Sequence, residues 1–261
     1  MMYDPNLLWL IQKNQEDRRA ILELQDILDE LGVRWIEFDI DFKSRLLPLP
    51  VGIKAEDIVI CHGPSFIPRV DHSEPFWRVG CIFDPFLFRW SEFQRHWTDL
   101  MLSSDGTLAT VRPLRTRSPV KTVLVRPDAD SKKFDGGIRS PEELTNLLMT
   151  LPDDIGIVSA SPLEIEAEYR VFIIGSEVVA ASQYRKNGSA ALDGFIPNQV
   201  IDLAIEADTR WRPKEAYVLD IAKSGSRYGI IEANCITAAR YYNGNPRAIV
   251  TGLCRLYGSK R

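Results

Sequence analysis

Three polar residues, Asp220, Glu232 and Asn234, interrupt otherwise apolar stretches near the end of the chain. Ala216 to Ile221 and Tyr228 to Asn234 read as two strands joined by Lys223, Ser224, Gly225 and Ser226, so a turn centred near Ser226 sets Asp220 opposite Glu232. Residues two apart in a strand point the same way, which puts Asn234 on the face of Glu232 and lets all three side-chain oxygens converge on one hard cation. Magnesium bound to nucleotide phosphates suits that set. The pattern suits a pair of solvent-facing carboxylates on an edge hairpin equally well.

Two further clusters lie upstream. Arg126, Pro127, Asp128, Lys132, Lys133, Phe134, Asp135, Gly136 and Gly137 place cations and glycines in a strand-to-loop turn, where backbone amides can hold phosphate and glycine permits close approach. The Walker spacing is absent, and a surface loop with solvated lysines fits the same residues. In the segment Glu164, Ile165, Glu166, Ala167, Glu168, Tyr169, Arg170, strand alternation gives Glu168 and Arg170 one face and Tyr169 and Val171 the other. Such an acid and guanidinium form either a surface ion pair or a grip on a ribose hydroxyl and a phosphate.

Those residues need a frame. Leu7 to Ile11 is an apolar run suited to a buried strand, Asn14 reads as a helix cap, and Ile21, Leu22, Leu24, Ile27, Leu28 and Leu31 recur at helical spacing before Gly32. Val33 to Ile40 and Asp57 to Cys61 read as strands, giving a βαβ opening. Aromatics crowd Phe76, Trp77, Phe83, Phe86, Phe88, Trp90, Phe93 and Trp97, a set for core packing that would suit a homodimer face if exposed. A boundary falls at Arg112 to Pro119, dividing the chain into 1–115 and 116–261. Val120 to Val125 then reads as a strand, and Ser140, Pro141 and Glu143 as a capping box opening a helix that buries Leu144, Leu147, Leu148 and Leu151. Ile155 to Ser159 is another strand. Glu168 to Gly175 with Glu177 to Tyr184 forms a hairpin, and Asn198 to Ala207 a helix.

The 261 residues carry a net charge of −4 with both signs intermixed, which argues against nucleic acid or an anionic membrane as partner. No export signal or spanning run is evident, so a cytoplasmic location is expected. Cys61, Cys81, Cys235 and Cys254 are scattered and imply no disulfide framework.

In this order, and with these strands between them, the clusters resemble the ATP-grasp fold, an α/β (α+β) architecture, and most closely the clade named for two arginines and one lysine. The likeness rests on Arg126, Pro127, Lys132, Phe134 and Gly136, then Glu168, Tyr169 and Arg170, then Asp220, Glu232 and Asn234. It covers roughly residues 120 to 245, and the opening βαβ unit looks like the domain that precedes such modules. The resemblance implies an ATP-dependent ligase that joins a carboxylate to an amine or similar nucleophile through an acyl phosphate. Arg126, Lys132 and Arg170 would contact phosphate or acyl groups. Ser159 to Ile165, with Glu164, would be the hinge against adenine, and Gly136 would help bind the nucleotide from the cation-bearing loop. Glu168 would take the ribose, and Asp220, Glu232 and Asn234 would hold magnesium. Arg240 departs from the pattern, standing where relatives carry a small residue, and would bind a substrate carboxylate or sit in solvent.

Three rivals follow from the residues. A metal-binding or structural module could be built on Cys61, His62, His72 and Cys81, although adjacent Cys61 and His62 on a strand point to opposite faces and no Cys-x-x-Cys pair supports them. The other two concern the nucleotide site. Lys133, Phe134, Asp135 and Gly136 match the lysine-x-Asp-Gly signature of nucleotidyltransferases, in which the lysine takes AMP covalently. A non-catalytic grasp-like binding module is the other.

Overall fold

The computed structural model describes residues 3–15, 18–41, 43, 52–64, 66, 83–117, 119–129 and 133–258. Lys132, His72, Phe76, Trp77 and Cys81 lie outside them. The opening unit is a parallel sheet of order β2-β1-β3, with β1 at Leu7–Gln12, β2 at Arg34–Phe38 and β3 at Ile58–His62. Helix α1, Arg18–Leu31, buries Ile21, Leu24, Ile27 and Leu28, while Leu22 stays 49% exposed, and Gly32 ends the helix at φ +65°. Asn14 does not cap α1. Its side chain both accepts from the Ile40 amide (3.0 Å) and donates to the Ile40 carbonyl (2.8 Å), tying the end of β1 to the chain leaving β2.

Among the described aromatics, Phe88, Trp90, Phe93 and Trp97 are buried, the last three at helical spacing along α2 (Trp90–Trp97), and Phe86 is exposed. A four-stranded antiparallel sheet follows, ordered β4-β7-β5-β6 from β4 (Thr107–Thr110), β5 (Val123–Pro127), β6 (Gly137–Arg139) and β7 (Gly156–Ala160). The short helix α3 (Val111–Arg115) leads from β4 toward β5. Strand β4 joins this sheet from the N-terminal side of residue 116. One face is covered by α4 (Pro141–Thr150), which opens on the anticipated capping box: Ser140 Oγ accepts from the Glu143 amide and the Glu143 carboxylate from the Ser140 amide.

The second large sheet is antiparallel, ordered β10-β9-β8-β11-β12, from β8 (Ala167–Ile174), β9 (Glu177–Lys186), β10 (Ser189–Asp193), β11 (Ala216–Ser224) and β12 (Arg227–Cys235). Gly175 and Ser176, at φ +59° and +71°, make the tight β8–β9 turn. One face of this sheet packs on α2 and α5 (Asn198–Arg210), joining Trp97, Tyr169, Val171, Leu219 and Ile230 in one core. The opposite face shares a core with the opening unit, in which Leu7, Trp9 and Leu28 meet Phe172, Val218 and the residues Ile249 and Leu253 of α6, Pro246–Gly258.

Gly229 on β12 abuts the backbone of Leu102: a Cβ there would lie 2.7 Å from Leu102 Cα and 2.8 Å from its nitrogen. Backbone cannot step aside as a side chain can. Gly229→Ala is expected to cost about 1–3 kcal/mol, as overpacking does, read as a lower urea midpoint at unchanged m-value.

Candidate functional site

Strand β11 lies between β8 and β12, so Asp220 has a cross-strand neighbour on each side, Arg170 on β8 and Glu232 on β12. The pairing with Glu232 depends on an irregularity. Ser224 pairs with Arg227 and Ile221 with Ile230, a register that would set Asp220 against Ile231, and a shift between Asp220 and Ile221 brings up Glu232 instead. Asp220 is 2% exposed. Arg170 grips it with two hydrogen bonds, Nε to Oδ1 at 2.9 Å and Nη2 to Oδ2 at 2.8 Å.

Glu232 is met from the other sheet. Arg126 on β5 donates Nη2 to Glu232 Oε2 (2.7 Å) and Nη1 to the Ile231 carbonyl (2.9 Å), while its Nε is buried without a hydrogen-bond partner among the described residues. Asn234 Nδ2 donates to Asp220 (3.2 Å) and Glu232 (2.9 Å), leaving the amide oxygen as the acceptor this side chain can offer. Burial pushes the Asp220 carboxyl above the usual carboxylate range against the pull of Arg170. For Glu232 burial acts in the same upward direction, but Arg126, Asn234 and Arg170 together bring the carboxyl below its ordinary value.

A cleft of about 600 Å³ opens between the two large sheets, lined by Arg126, Gly136, Glu168, Arg170, Asp220, Glu232 and Asn234. That volume suits a small-molecule ligand. Leu124, Phe134, Leu163, Ile165, Phe88 and Leu102 supply its apolar walls. Of the remaining candidates, Glu164 is exposed and outside this lining, and Lys133 is exposed and outside it too. Arg240 lines a different cavity, also about 600 Å³, with Gln12, His62, Tyr241 and Tyr242.

Sequence reasoning missed Tyr184, and it gave Arg185, the start of a loop expected to recognise substrate, and Tyr242, half of an aromatic pair in the resemblance, no part in the nucleotide site. Glu168 accepts from the Tyr184 hydroxyl (2.8 Å) and from Arg185 (3.1 Å). The Tyr184 and Tyr242 rings stack at 5.0 Å and 10°, and the Arg170 guanidinium lies 5.5 Å and 5.1 Å from their centroids. Tyr242 takes a left-handed φ of +52°, uncommon for a bulky residue. Alternation along β9 was the available signal for Tyr184; for Tyr242 it was the aromatic pair with Tyr241 that follows Arg240. Asp128 of the cation-bearing loop has a structural task, accepting from the Ser91 amide (2.8 Å) at the start of α2.

A nucleotide with magnesium fits these residues. Two carboxylates and an amide oxygen form a hard donor set of the size magnesium uses when phosphates and water complete its shell, and the orphaned Arg126 Nε offers a donor to phosphate. Among the described residues no group of three His, Cys, Asp or Glu side chains is placed to hold a metal, here or elsewhere, so the cleft's set is two carboxylates completed by an amide.

His62 sits in the second cavity, its Nδ1 3.4 Å from the Tyr241 hydroxyl. Burial lowers its pKa from 6.5 to about 4. The folded chain thus prefers the neutral ring, and stability present above pH 6.5 is lost as pH falls toward 4. The loss has a ceiling of about 3 kcal/mol, reduced because the ring keeps an edge to solvent. His62→Gln is expected to flatten the fall in Tm between pH 7.5 and pH 5, measured by paired melts.

Comparison with known proteins bears on the frame. A family model for the ATP-grasp domain, family 2 of the clade named for two arginines and one lysine, matches residues 104–251. No curated protein matches. Solved structures of the same fold include a RimK-domain ATP-grasp protein from Sphaerobacter thermophilus (TM-score 0.60, 11% identity, covering 95% of this chain and 98% of that one). They also include a RiPP-associated ATP-grasp ligase from Chryseobacterium gregarium, in complex with ADP and a leader and core peptide (0.56, 14%, 96% and 96%). A D-alanine–D-alanine ligase from Bacillus anthracis is similar to the same degree (0.56, 10%, 96% and 93%). With the family model spanning more than half of the sequence and both sheets of the cleft, the chain belongs to the ATP-grasp domain family, in family 2 of the two-arginine, one-lysine clade.

Proposed function

We propose that the chain is an ATP-dependent ligase that activates a carboxylate as an acyl phosphate for attack by an amine or similar nucleophile. The observation carrying this reading is the meeting of Asp220, Glu232 and Asn234 with Arg126 and Arg170 in one cleft between two sheets. Solved neighbours that are ligases, one in complex with a leader and core peptide and one named for D-alanine, support the substrate class of amino-acid or peptide carboxylates. In this reading residues 116–261 supply most of the nucleotide cleft, and residues 1–115 contribute β4 and the strand ends beside the second cavity. Arg240, lining that cavity, is the candidate for a substrate carboxylate. No helix among the described residues is long and apolar enough to cross a membrane, and a cytoplasmic location is part of the proposal. A homodimer through the aromatic segment would rest on Phe86, the exposed large aromatic described there.

The chain's own groups act mainly by position and charge. Arg126 and Arg170 offset charge on the transferred phosphoryl group, Lys132 would add a third cation, and Glu168 accepts a ribose hydroxyl. Gly136 packs beside Arg126, where an added Cβ would meet the Arg126 Cβ at 3.4 Å, an ordinary contact, so the approach does not itself require glycine. Magnesium held by Asp220, Glu232 and Asn234 would screen the phosphates. The substrate carboxylate oxygen bonds to the terminal phosphorus and ADP leaves. The nucleophile then adds to the carbonyl, phosphate departs with the bonding pair, and the amine gives up a proton.

Incubation with ATP, magnesium and pooled amino acids, peptides and polyamines tests this. ADP formed only with the pool supports it. AMP, or an α-phosphate label carried onto Lys133, would replace it with nucleotidyl transfer; the exposure of Lys133 outside the cleft lining argues against that route.

A further inference from the structure

We propose that Arg126 and Arg170 act as exchangeable counter-ions that close the carboxylate site to a free divalent cation and open it only to a cation arriving with a polyphosphate. This rests on the ligase reading and concerns the regulation of the same site. Each carboxylate is already engaged, Glu232 with Arg126 at 2.7 Å and Asp220 with Arg170 at 2.8 Å. The four groups sum to zero charge in a cleft where the Asp220 side chain is 3% exposed and the Arg170 side chain 12%, with Arg126 and Glu232 more open at 19% and 33%.

A divalent cation placed on these carboxylates would set the site at two positive charges, or strip the guanidiniums of their partners, at the Asp220 end in a nearly water-free position. Either is costly, because a buried charge that loses its partner keeps its desolvation penalty. A polyphosphate removes the obstacle. It offers both guanidiniums new oxygens, frees the carboxylates for the metal, and gives the buried Arg126 Nε an acceptor. The rings of Tyr184 and Tyr242 lie 5.5 Å and 5.1 Å from the Arg170 guanidinium carbon and offer it a cation–π contact that does not depend on the Asp220 carboxylate. Metal and nucleotide therefore bind with mutual assistance, and by reciprocity each raises the other's affinity by the same factor, about 100-fold.

The test follows free Mn²⁺ by electron paramagnetic resonance, with the non-hydrolysable ATP analogue AMPPNP as the nucleotide probe. Wild-type protein is expected to leave millimolar Mn²⁺ free when nucleotide is absent and to bind it stoichiometrically with AMPPNP. Arg126→Gln removes one counter-ion and is expected to bind Mn²⁺ without nucleotide, a gain that general disruption would not produce, whereas Arg126→Lys should exclude the ion as wild type does. Sub-millimolar Mn²⁺ binding by nucleotide-free wild type overturns the inference, as does a folded Arg126→Gln that still excludes the ion. If Arg126→Gln does not fold, the two wild-type measurements decide. Wild type that retains AMPPNP yet binds Mn²⁺ alone loses this inference and keeps the ligase reading; wild type that never retains AMPPNP loses both.

Discussion

Asp220→Asn is expected to reduce substrate-dependent ADP formation about 100- to 1000-fold, the scale seen when one fixed electrostatic contact to a transition state is removed. The change is nearly isosteric, and an asparagine oxygen can still accept from Arg170. What it removes is the negative charge at the buried end of the donor set, next to Asn234 and across from Glu232. Adding Glu232→Gln should lower the rate little further, because residues acting on one ion are not additive. A coupled ADP assay, with circular dichroism to verify folding, decides the matter. An Asp220→Asn protein keeping a tenth or more of its activity would remove Asp220 from the metal site.

The second large effect is on stability. Arg170→Met leaves Asp220 buried without its guanidinium and is expected to cost about 3–5 kcal/mol, the penalty of an uncompensated interior charge. Coupling Arg170→Met to Asp220→Leu should recover most of that stability, since an apolar pair of similar bulk removes both charges together. Activity should not return. The result would separate two roles the same residues play, holding β8 to β11 and handling charge in the cleft. Urea denaturation of the two single variants and the double variant measures the coupling directly. A double variant no more stable than Arg170→Met alone would show that packing around Tyr184 and Tyr242, not charge, sets the cost.

What could be read from the sequence was local. The apolar run at Leu7, the Ser140 capping box and the turn at Gly175 and Ser176 follow from residue types a few positions apart, and all three stand in the structure. The facing of Asp220 and Glu232 was placed by centring the turn at Ser226. It holds because a register shift compensates a two-residue turn at Gly225 and Ser226, a detail no residue type announces. Asn14 misled because the oxygen and amide that cap a helix serve equally well to bridge two strands. The contact between Arg126 and Glu232 spans 106 residues and two sheets, so neither sequence neighbourhood could reveal it. Helix α6 is marked in the sequence by Ile249, Val250, Leu253 and Cys254 at helical spacing, a signal of the same kind as that of α1.

The return of α6 to the opening sheet has a consequence for biosynthesis. The Asp4 amide donates to the Gly258 carbonyl at 2.8 Å, and Gly258 lies against Leu7, so the core built on β1 is finished by residues from the far end of this chain. On a ribosome β1 to β3 are made well before α6, with that apolar face covered only by α1, and at roughly 5–20 residues per second the helix that completes the core follows about 10–40 s later. Over that interval the nascent sheet is a natural client for a chaperone, whereas the hairpin of β11 and β12 finds its partner as soon as it is made.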